Sequence, residues 1–143
     1  MKKNIFILLL FVSLSSFAQT EKMALQISSQ GTTVRASVDG GNENVKLTLS
    51  TKKDGRLVIM NANAKNETKL TRRYMLMTAS DEDLQLNFMS RVNGITNALL
   101  KDIFAKTIVG KTYMLYTIAT PSDPNEAAAV RVRRVLLCKV IIK

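Results

Sequence analysis

Apolar and polar residues alternate along several segments of the chain, and this period of two is typical of strands that bury one face. The first three such segments lie at residues 23–28, 33–38 and 45–50. They are separated by Gln30-Gly31 and by Asp39-Gly40-Gly41-Asn42, which contain residue types that tolerate positive φ in tight turns. The pattern therefore predicts three half-buried strands joined by short turns.

The dipeptide Asp54-Gly55 lies between two alternating segments, at residues 48–53 and 56–62. Asp-Gly suits the two central positions of a type I′ turn, so it is a strong local signal for a β-hairpin. We therefore predict that these two segments pair with each other. A further strand is predicted over residues 69–78 by the same alternation.

Residues 80–88 fit two kinds of secondary structure. Leu84, Leu86 and Phe88 alternate with polar residues, as in a sixth strand over residues 83–88. Ser80 followed by three acidic residues is also typical of a helix N-cap and first turn. A helix that begins there is therefore the alternative prediction.

An amphipathic helix is predicted over residues 93–107. Its apolar residues recur at helical spacing, whereas polar residues lie off that face. Gly110 is of the residue type that commonly follows a helix C-terminus. The apolar positions of this helix are Ile95, Ala98, Leu99, Ile103 and Phe104.

Two strands are predicted to close the chain, at residues 112–120 and 130–142. In the second strand the even positions are apolar apart from Arg134, and the odd positions carry most of the basic residues. We therefore expect the even positions to face the core and the odd positions to face solvent. The whole pattern predicts a mainly β fold, either a single antiparallel, Ig-like β-sandwich or an open barrel, with about eight strands and one inserted helix.

The first 18 residues have the layout of a secretory signal peptide. Lys2 and Lys3 precede an apolar run at residues 5–12, and Ser16 and Ala18 are small residues at the positions expected before a cleavage site. The apolar run is shorter than the roughly 20 residues that a transmembrane helix needs. We expect export to the periplasm, the outer membrane surface or the exterior, with one β-rich domain at residues 19–143 and no transmembrane span after cleavage.

Composition removes several kinds of chemistry. The chain has no His and one Cys, which excludes His-dependent triads, Cys-His pairs and an internal disulfide. The acidic cluster at residues 81–83 is the remaining candidate for acid-base catalysis, but its consecutive side chains point in different directions, and a solvated turn is the simpler interpretation. Cys138, flanked along the strand by aliphatic residues, is predicted to be a buried thiol. We therefore expect no enzyme, no metal site and no cofactor.

Basic residues outnumber acidic residues by 21 to 11, which gives a formal net charge of +10. The densest basic groups are Arg72-Arg73 and the set Arg131, Arg133 and Arg134, and alternation places Arg131 and Arg133 on one strand face. Such a face can bind phosphate or sulfate groups. Nucleic acid is disfavoured as a partner, because the protein is expected to be exported and has no Trp for base stacking.

Two functional hypotheses follow from the sequence. In the first, the protein is an exported, non-enzymatic domain that acts as an accessory or structural subunit of a bacterial cell envelope assembly and contacts an envelope protein. Val135, Leu137 and Ile141 on the otherwise basic face of the last strand favour it, because they suggest a covered surface. In the second hypothesis, a basic face binds an anionic glycan or a lipid headgroup. Its candidate residues are Arg72, Arg73, Arg131 and Arg133.

Overall fold

The computed structural model describes residues 24–62, 70–91, 94–123, 125 and 133–143. Within these ranges the chain forms nine strands and one short helix, which confirms the prediction of a mainly β fold. The predicted signal peptide lies outside the described residues. The strands are β1 (Ala24–Ser29), β2 (Thr32–Ser37), β3 (Lys46–Leu49), β4 (Arg56–Asn61), β5 (Leu70–Met77), β6 (Met89–Arg91), β7 (Ile95–Leu99), β8 (Thr112–Pro121) and β9 (Arg134–Ile142), and the helix α1 is Leu100–Lys106.

The strands form two sheets that share one hydrophobic core. Sheet A has the strand order β2-β1-β4-β7-β6, and sheet B has the order β3-β9-β8-β5. Neighbouring strands are antiparallel except β3 and β9, which run in parallel. The arrangement is consistent with a β-sandwich, and the described strands do not close into a barrel.

The alternating pattern predicts the buried strand faces correctly where it is regular. In β1 the side chains of Leu25 and Ile27 are fully buried, and in β4 the same holds for Leu57 and Ile59. Ile27 lies directly opposite Ile59 in the pairing of these strands. Sheet B completes the core with the inward side chains of β3, β5, β8 and β9.

The predicted hairpin at Asp54-Gly55 is wrong. The flanking strands β3 and β4 belong to different sheets, so the chain crosses from sheet B to sheet A at this point. Gln30 holds the crossing segment, because its amide donates to the carbonyl oxygens of Ser50 (2.7 Å) and Lys53 (3.1 Å) and accepts from the Ser50 N–H (2.8 Å). A connection over residues 50–55 can span the separation of about 10 Å between packed sheets, and a two-residue turn cannot.

The predicted helix over residues 93–107 is present only in its second half. Ile95–Leu99 forms β7, which pairs with β4 on one side and β6 on the other, and α1 covers Leu100–Lys106. A short apolar run fits both the helical period and the period of two, and pairing with β4 favours the strand. Gly110 lies in a turn after the helix, with φ of +90°, and does not directly follow the helix C-terminus.

Residues 83–88 form neither the predicted sixth strand nor the alternative helix. Asp81 and Gln85 have φ values of +68° and +54°, and these left-handed conformations interrupt a right-handed helix. Asp83 makes a single bridge with Met77 at the edge of sheet B. The apolar positions nevertheless pack against the core as half-buried side chains. They are Leu84, Leu86 and Phe88.

Candidate functional site

An irregularity in β9 determines which of its side chains face the core. Leu115 pairs with Cys138 but Tyr116 pairs with Leu136, so Leu137 is an extra residue on β9. Such a β-bulge disrupts the regular alternation of a strand. Leu137 and Cys138 are both fully buried, and before Leu137 the odd positions lie on the inner side of sheet B. The prediction that even positions face inward along the whole strand is therefore wrong for its first half.

The bulge brings Arg133 into a cleft at one end of the sandwich. Arg133 and Val135 lie there with Arg72 of β5 and Thr117 of β8, and the cleft has a volume of about 470 Å³. The structure therefore brings together two of the four arginines that the sequence singled out, Arg72 and Arg133. The residues that line the cleft are Val38, Asp39, Leu70, Arg72, Thr117, Ala119, Arg133 and Val135.

The guanidinium of Arg72 has a defined orientation in the cleft. Its Nη1 donates to Thr117 Oγ1 (3.3 Å), and the same hydroxyl donates to the carbonyl oxygen of Arg73 (3.1 Å). Thr117 is buried, with 1% of its surface exposed, so it can hold the guanidinium in a fixed position. An arginine that is already oriented loses less side-chain entropy when it binds a carboxylate or a phosphate.

One wall of the cleft is the connection between β2 and β3, and the buried side chain of Asn42 attaches this connection to both sheets. Asn42 Oδ1 accepts from the Ser37 N–H (2.9 Å), and Nδ2 donates to the carbonyl oxygens of Ser37 (2.7 Å) and Leu136 (2.8 Å). Leu136 lies next to the bulge in β9. Asn42 therefore positions Val38 and Asp39 relative to the strand that follows Arg133.

The cleft combines charged and apolar groups. Arg133 is exposed and Arg72 is half-buried, and Asp39 contributes an exposed carboxylate at the rim. The remaining walls are mostly aliphatic. Arginine can bind a planar anion through two hydrogen bonds, and a carboxylate can accept hydrogen bonds from hydroxyl groups. The cleft is therefore suited to a ligand that carries both an anionic group and hydroxyl groups.

The other two candidate arginines are placed differently. Arg73 follows Arg72 on β5, and successive side chains of a strand point to opposite faces, so Arg73 points away from the large cleft and is exposed. With Arg72 and Tyr74 it borders a smaller cleft of about 210 Å³ between β5 and residues 86–90. Arg131 lies outside the described residues.

Sequence reasoning missed Asp39, Asn42 and Thr117 as parts of a site. The motif Asp39-Gly40-Gly41-Asn42 signals a turn, which is present, but nothing local shows that this turn packs beside an arginine. Thr117 is one of several Thr residues in a predicted strand. Only the pairing of β5 with β8 places its hydroxyl near Arg72.

Two further side chains that the sequence offered for chemistry, Cys138 and Asp81, have structural roles. Cys138 is buried as predicted, and burial raises the pKa of its thiol to about 12, so the thiol stays protonated at neutral pH and is a poor nucleophile. Asp81 forms an ion pair with Arg134 (2.9 Å), whose guanidinium carbon lies 4.3 Å from the ring centre of Tyr116. Across the described part of the chain, no group of three or more His, Cys, Asp or Glu side chains is arranged to hold a metal ion.

No protein-family model, curated protein or solved structure matches the chain. Among the described residues there is no helix long and apolar enough to cross a membrane.

Proposed function

We propose that the protein is an exported, non-enzymatic binding domain that holds the anionic group of a glycan or a lipid headgroup in the cleft between Arg72 and Arg133. The observation that carries this proposal is that Arg72 and Arg133 line one concave site, with the Arg72 guanidinium oriented by a buried hydroxyl. Scattered surface arginines would be expected to serve solubility alone, whereas two arginines in a cleft can act on the same ligand.

The dimensions and lining of the cleft define the class of ligand. A volume of about 470 Å³ lies within the range of about 300–1,000 Å³ that is usual for small-molecule sites. The two arginines would bind a carboxylate or a phosphate. Asp39 would accept hydrogen bonds from ligand hydroxyl groups and repel a second anionic group at the rim. A ligand with one anionic group and a polyhydroxylated body fits this arrangement best.

The proposal can be tested with three soluble probes that represent the possible sources of the anionic group. A disaccharide that contains glucuronic acid represents an acidic glycan, glycerol 3-phosphate represents a lipid headgroup, and inorganic phosphate represents the anion alone. A neutral disaccharide is the negative control. Binding is measured at low and high salt by titration with detection of backbone amide shifts, and we expect it to weaken as salt rises because the attraction between charges is screened.

Two substitutions distinguish binding in the cleft from nonspecific attraction of an anion to a positively charged protein. Arg72→Gln and Arg133→Gln are each expected to weaken binding at least fivefold, because each removes one charged hydrogen-bond donor group. Arg73→Gln removes the same charge from the next residue on β5, which points away from the cleft, and should change affinity less than twofold. Equal losses in all three variants, or no shifts at Thr117 and Ala119 with any anionic probe, would contradict the proposal.

We also infer a second candidate function, as a subunit of an envelope assembly, from the outer face of sheet B. Leu137 is in the core and Val135 lines the cleft, so neither contributes to an outward apolar surface. Ile141 alone of those three residues points outward. The support for the hypothesis now comes from the set of apolar side chains, including Ile141, that alternation places on the same face. These half-buried or buried side chains are Met75, Met77, Met114, Tyr116, Ile118, Leu136 and Ile141.

This second function can be tested by native co-purification from an envelope fraction with mass spectrometry. The double substitution Met75→Glu and Met114→Glu should abolish recovery of a stoichiometric protein partner, because it places charges on the apolar face. Arg133→Gln should leave that recovery unchanged. A wild-type protein that is recovered without any stoichiometric partner would refute the subunit function and leave the cleft proposal standing.

A further inference from the structure

The end of the sandwich opposite the cleft carries two adjacent exposed aliphatic residues. Ile108 and Val109 are 57% and 60% exposed and are the most exposed large apolar side chains among the described residues. They follow α1, in the turn that leads into β8. β9 runs from the cleft to this turn, and its nine residues correspond to a length of about 26 Å. The two sites are therefore well separated.

Hydrogen bonds hold this turn in place, so the exposure of its two aliphatic side chains is a defined feature of the fold. The Ile108 N–H donates to the Tyr113 hydroxyl (2.8 Å), and the Gly110 N–H donates to the Ile142 carbonyl (2.8 Å). The Lys111 N–H donates to the Ile108 carbonyl oxygen (3.2 Å), and this hydrogen bond closes the turn. Single exposed apolar residues need no explanation, but these two are adjacent and are held in a hydrogen-bonded turn, so they form a small continuous apolar surface.

Lysines surround the turn on the same end of the molecule. Lys111 belongs to the turn itself, and the Ile142 N–H donates to its carbonyl oxygen (3.2 Å). The carbonyl oxygen of Lys143, the residue after Ile142, accepts from the Thr51 N–H (2.8 Å). This hydrogen bond brings the exposed Lys52-Lys53 pair to the same end of the molecule. Four lysines with exposed side chains, Lys52, Lys53, Lys111 and Lys143, therefore lie around the turn.

Other charged groups on this end leave a positive balance. Asp54 is exposed in the segment that contains Lys52 and Lys53, and Asp102 is half-buried on α1. Lys101 of α1 is exposed, whereas the Lys106 Nζ is engaged with the carbonyl oxygens of Leu84 and Gln85, at 3.0 Å each. The surface around the turn thus carries more cationic than anionic side chains.

We propose that this end of the sandwich docks on the surface of an anionic phospholipid bilayer. Ile108 and Val109 enter the headgroup region, and Lys52, Lys53, Lys111 and Lys143 contact the lipid phosphates. The two exposed aliphatic side chains lie beside exposed lysines, and an anionic lipid interface offers partners for both kinds of group. Apolar burial combined with attraction of lysines to anionic lipid is a known physical basis of peripheral membrane binding. This surface is separate from the proposed function of the cleft.

The test is co-sedimentation with vesicles of about 30% phosphatidylglycerol in phosphatidylcholine, compared with pure phosphatidylcholine. Ile108→Ser with Val109→Ser should lower the partition coefficient about tenfold without changing the net charge. Lys52→Gln with Lys53→Gln should lower it about twentyfold at low salt, since each lysine near an anionic surface contributes a factor of about five. The matched control is Lys46→Gln with Lys139→Gln, a pair on the outer face of sheet B, which should change partitioning less than threefold.

Insertion of the turn can be observed separately from binding. Cys138 is the only Cys of the chain and is buried, so Val109→Cys creates a single accessible thiol for an environment-sensitive fluorophore. Its emission should increase and shift to the blue on anionic vesicles, whereas a label on Ser122→Cys, at the cleft end, should not respond. Retained binding by the serine double variant, a silent label at position 109, or binding to a soluble acidic peptide in place of vesicles would each overturn the proposal.

Discussion

Replacing Asn42 tests how the wall of the cleft is held in place. The side chain is 4% exposed and forms three hydrogen bonds, one from the Ser37 N–H and two to the carbonyl oxygens of Ser37 and Leu136. Asn42→Ala removes all three and leaves part-buried backbone groups without these partners. At about 1 kcal/mol for each hydrogen bond, the free energy of unfolding should fall by about 3 kcal/mol.

Asn42→Asp is the more selective change, because it keeps the shape of the side chain. A carboxylate can still accept from the Ser37 N–H but cannot donate to the two carbonyl oxygens. We expect a loss of stability at least as large as that in Asn42→Ala at neutral pH, since two carbonyl oxygens would then face a negative charge. Asn44→Asp is the matched control, because it introduces the same charge at an exposed position of the same connection.

The assay is equilibrium unfolding in urea, followed by far-ultraviolet circular dichroism. Asn44→Asp should stay within about 0.5 kcal/mol of the wild type, as is usual for surface substitutions. The cleft provides a second measurement, because a displaced β2–β3 connection should shift the amide resonances of Val38 and Asp39. If both Asn42 variants unfolded at the same urea concentration as the wild type, the hydrogen bonds of Asn42 would not hold this wall.

Two further predictions concern the core and the turn after α1. Burial raises the pKa of the Cys138 thiol from 9.0 to about 12. The contribution of the thiol to stability is therefore complete below pH 9 and is lost as the pH rises toward 12. Relative to Cys138→Val, the free energy of unfolding of the wild type should decrease by up to about 1.4 kcal/mol per pH unit in that window. Tyr113→Phe should lower stability by about 1 kcal/mol and accelerate hydrogen exchange of the Ile108 amide, whereas Tyr116→Phe should leave that exchange unchanged.

Strand positions were largely predictable, because burial of one face imposes a period of two on the sequence. Residues of β1, β2 and β3 alternate clearly, and the structure has strands there. β7 was predicted as helix, since five residues with an apolar majority satisfy either period. Its pairing with β4 and β6 supplies hydrogen bonds and burial that no local pattern reports.

Sheet assignment was not predictable from local signals. Asp54-Gly55 has the chemistry of a hairpin turn, yet β3 pairs in parallel with β9 and β4 pairs with β1. A turn dipeptide reports the backbone angles that it tolerates. It carries no information about whether the following strand returns to the same sheet or crosses to the opposite one.

The candidate site was also predictable only in part from local sequence signals. Sequence reasoning selected Arg72 and Arg133 from the density of basic residues, but it placed Arg133 on an outward face together with Arg131. The extra residue Leu137 reverses the side on which Arg133 lies. A bulge of this kind arises from the packing of β9 against β8, and a regular alternation cannot reveal it.

The sequence by itself determined which faces of the regularly alternating strands are buried, that the single thiol belongs to the core, and that the protein is strongly basic. These properties depend on side-chain polarity and on spacing along the chain, and both are local. Only the tertiary structure decided which strands are neighbours, where the bulge in β9 exchanges its inward and outward positions, and that Arg72, Thr117 and Arg133 share one cleft. Those features depend on contacts between residues far apart in the chain, whose energies are set by packing and hydrogen bonding across the two sheets.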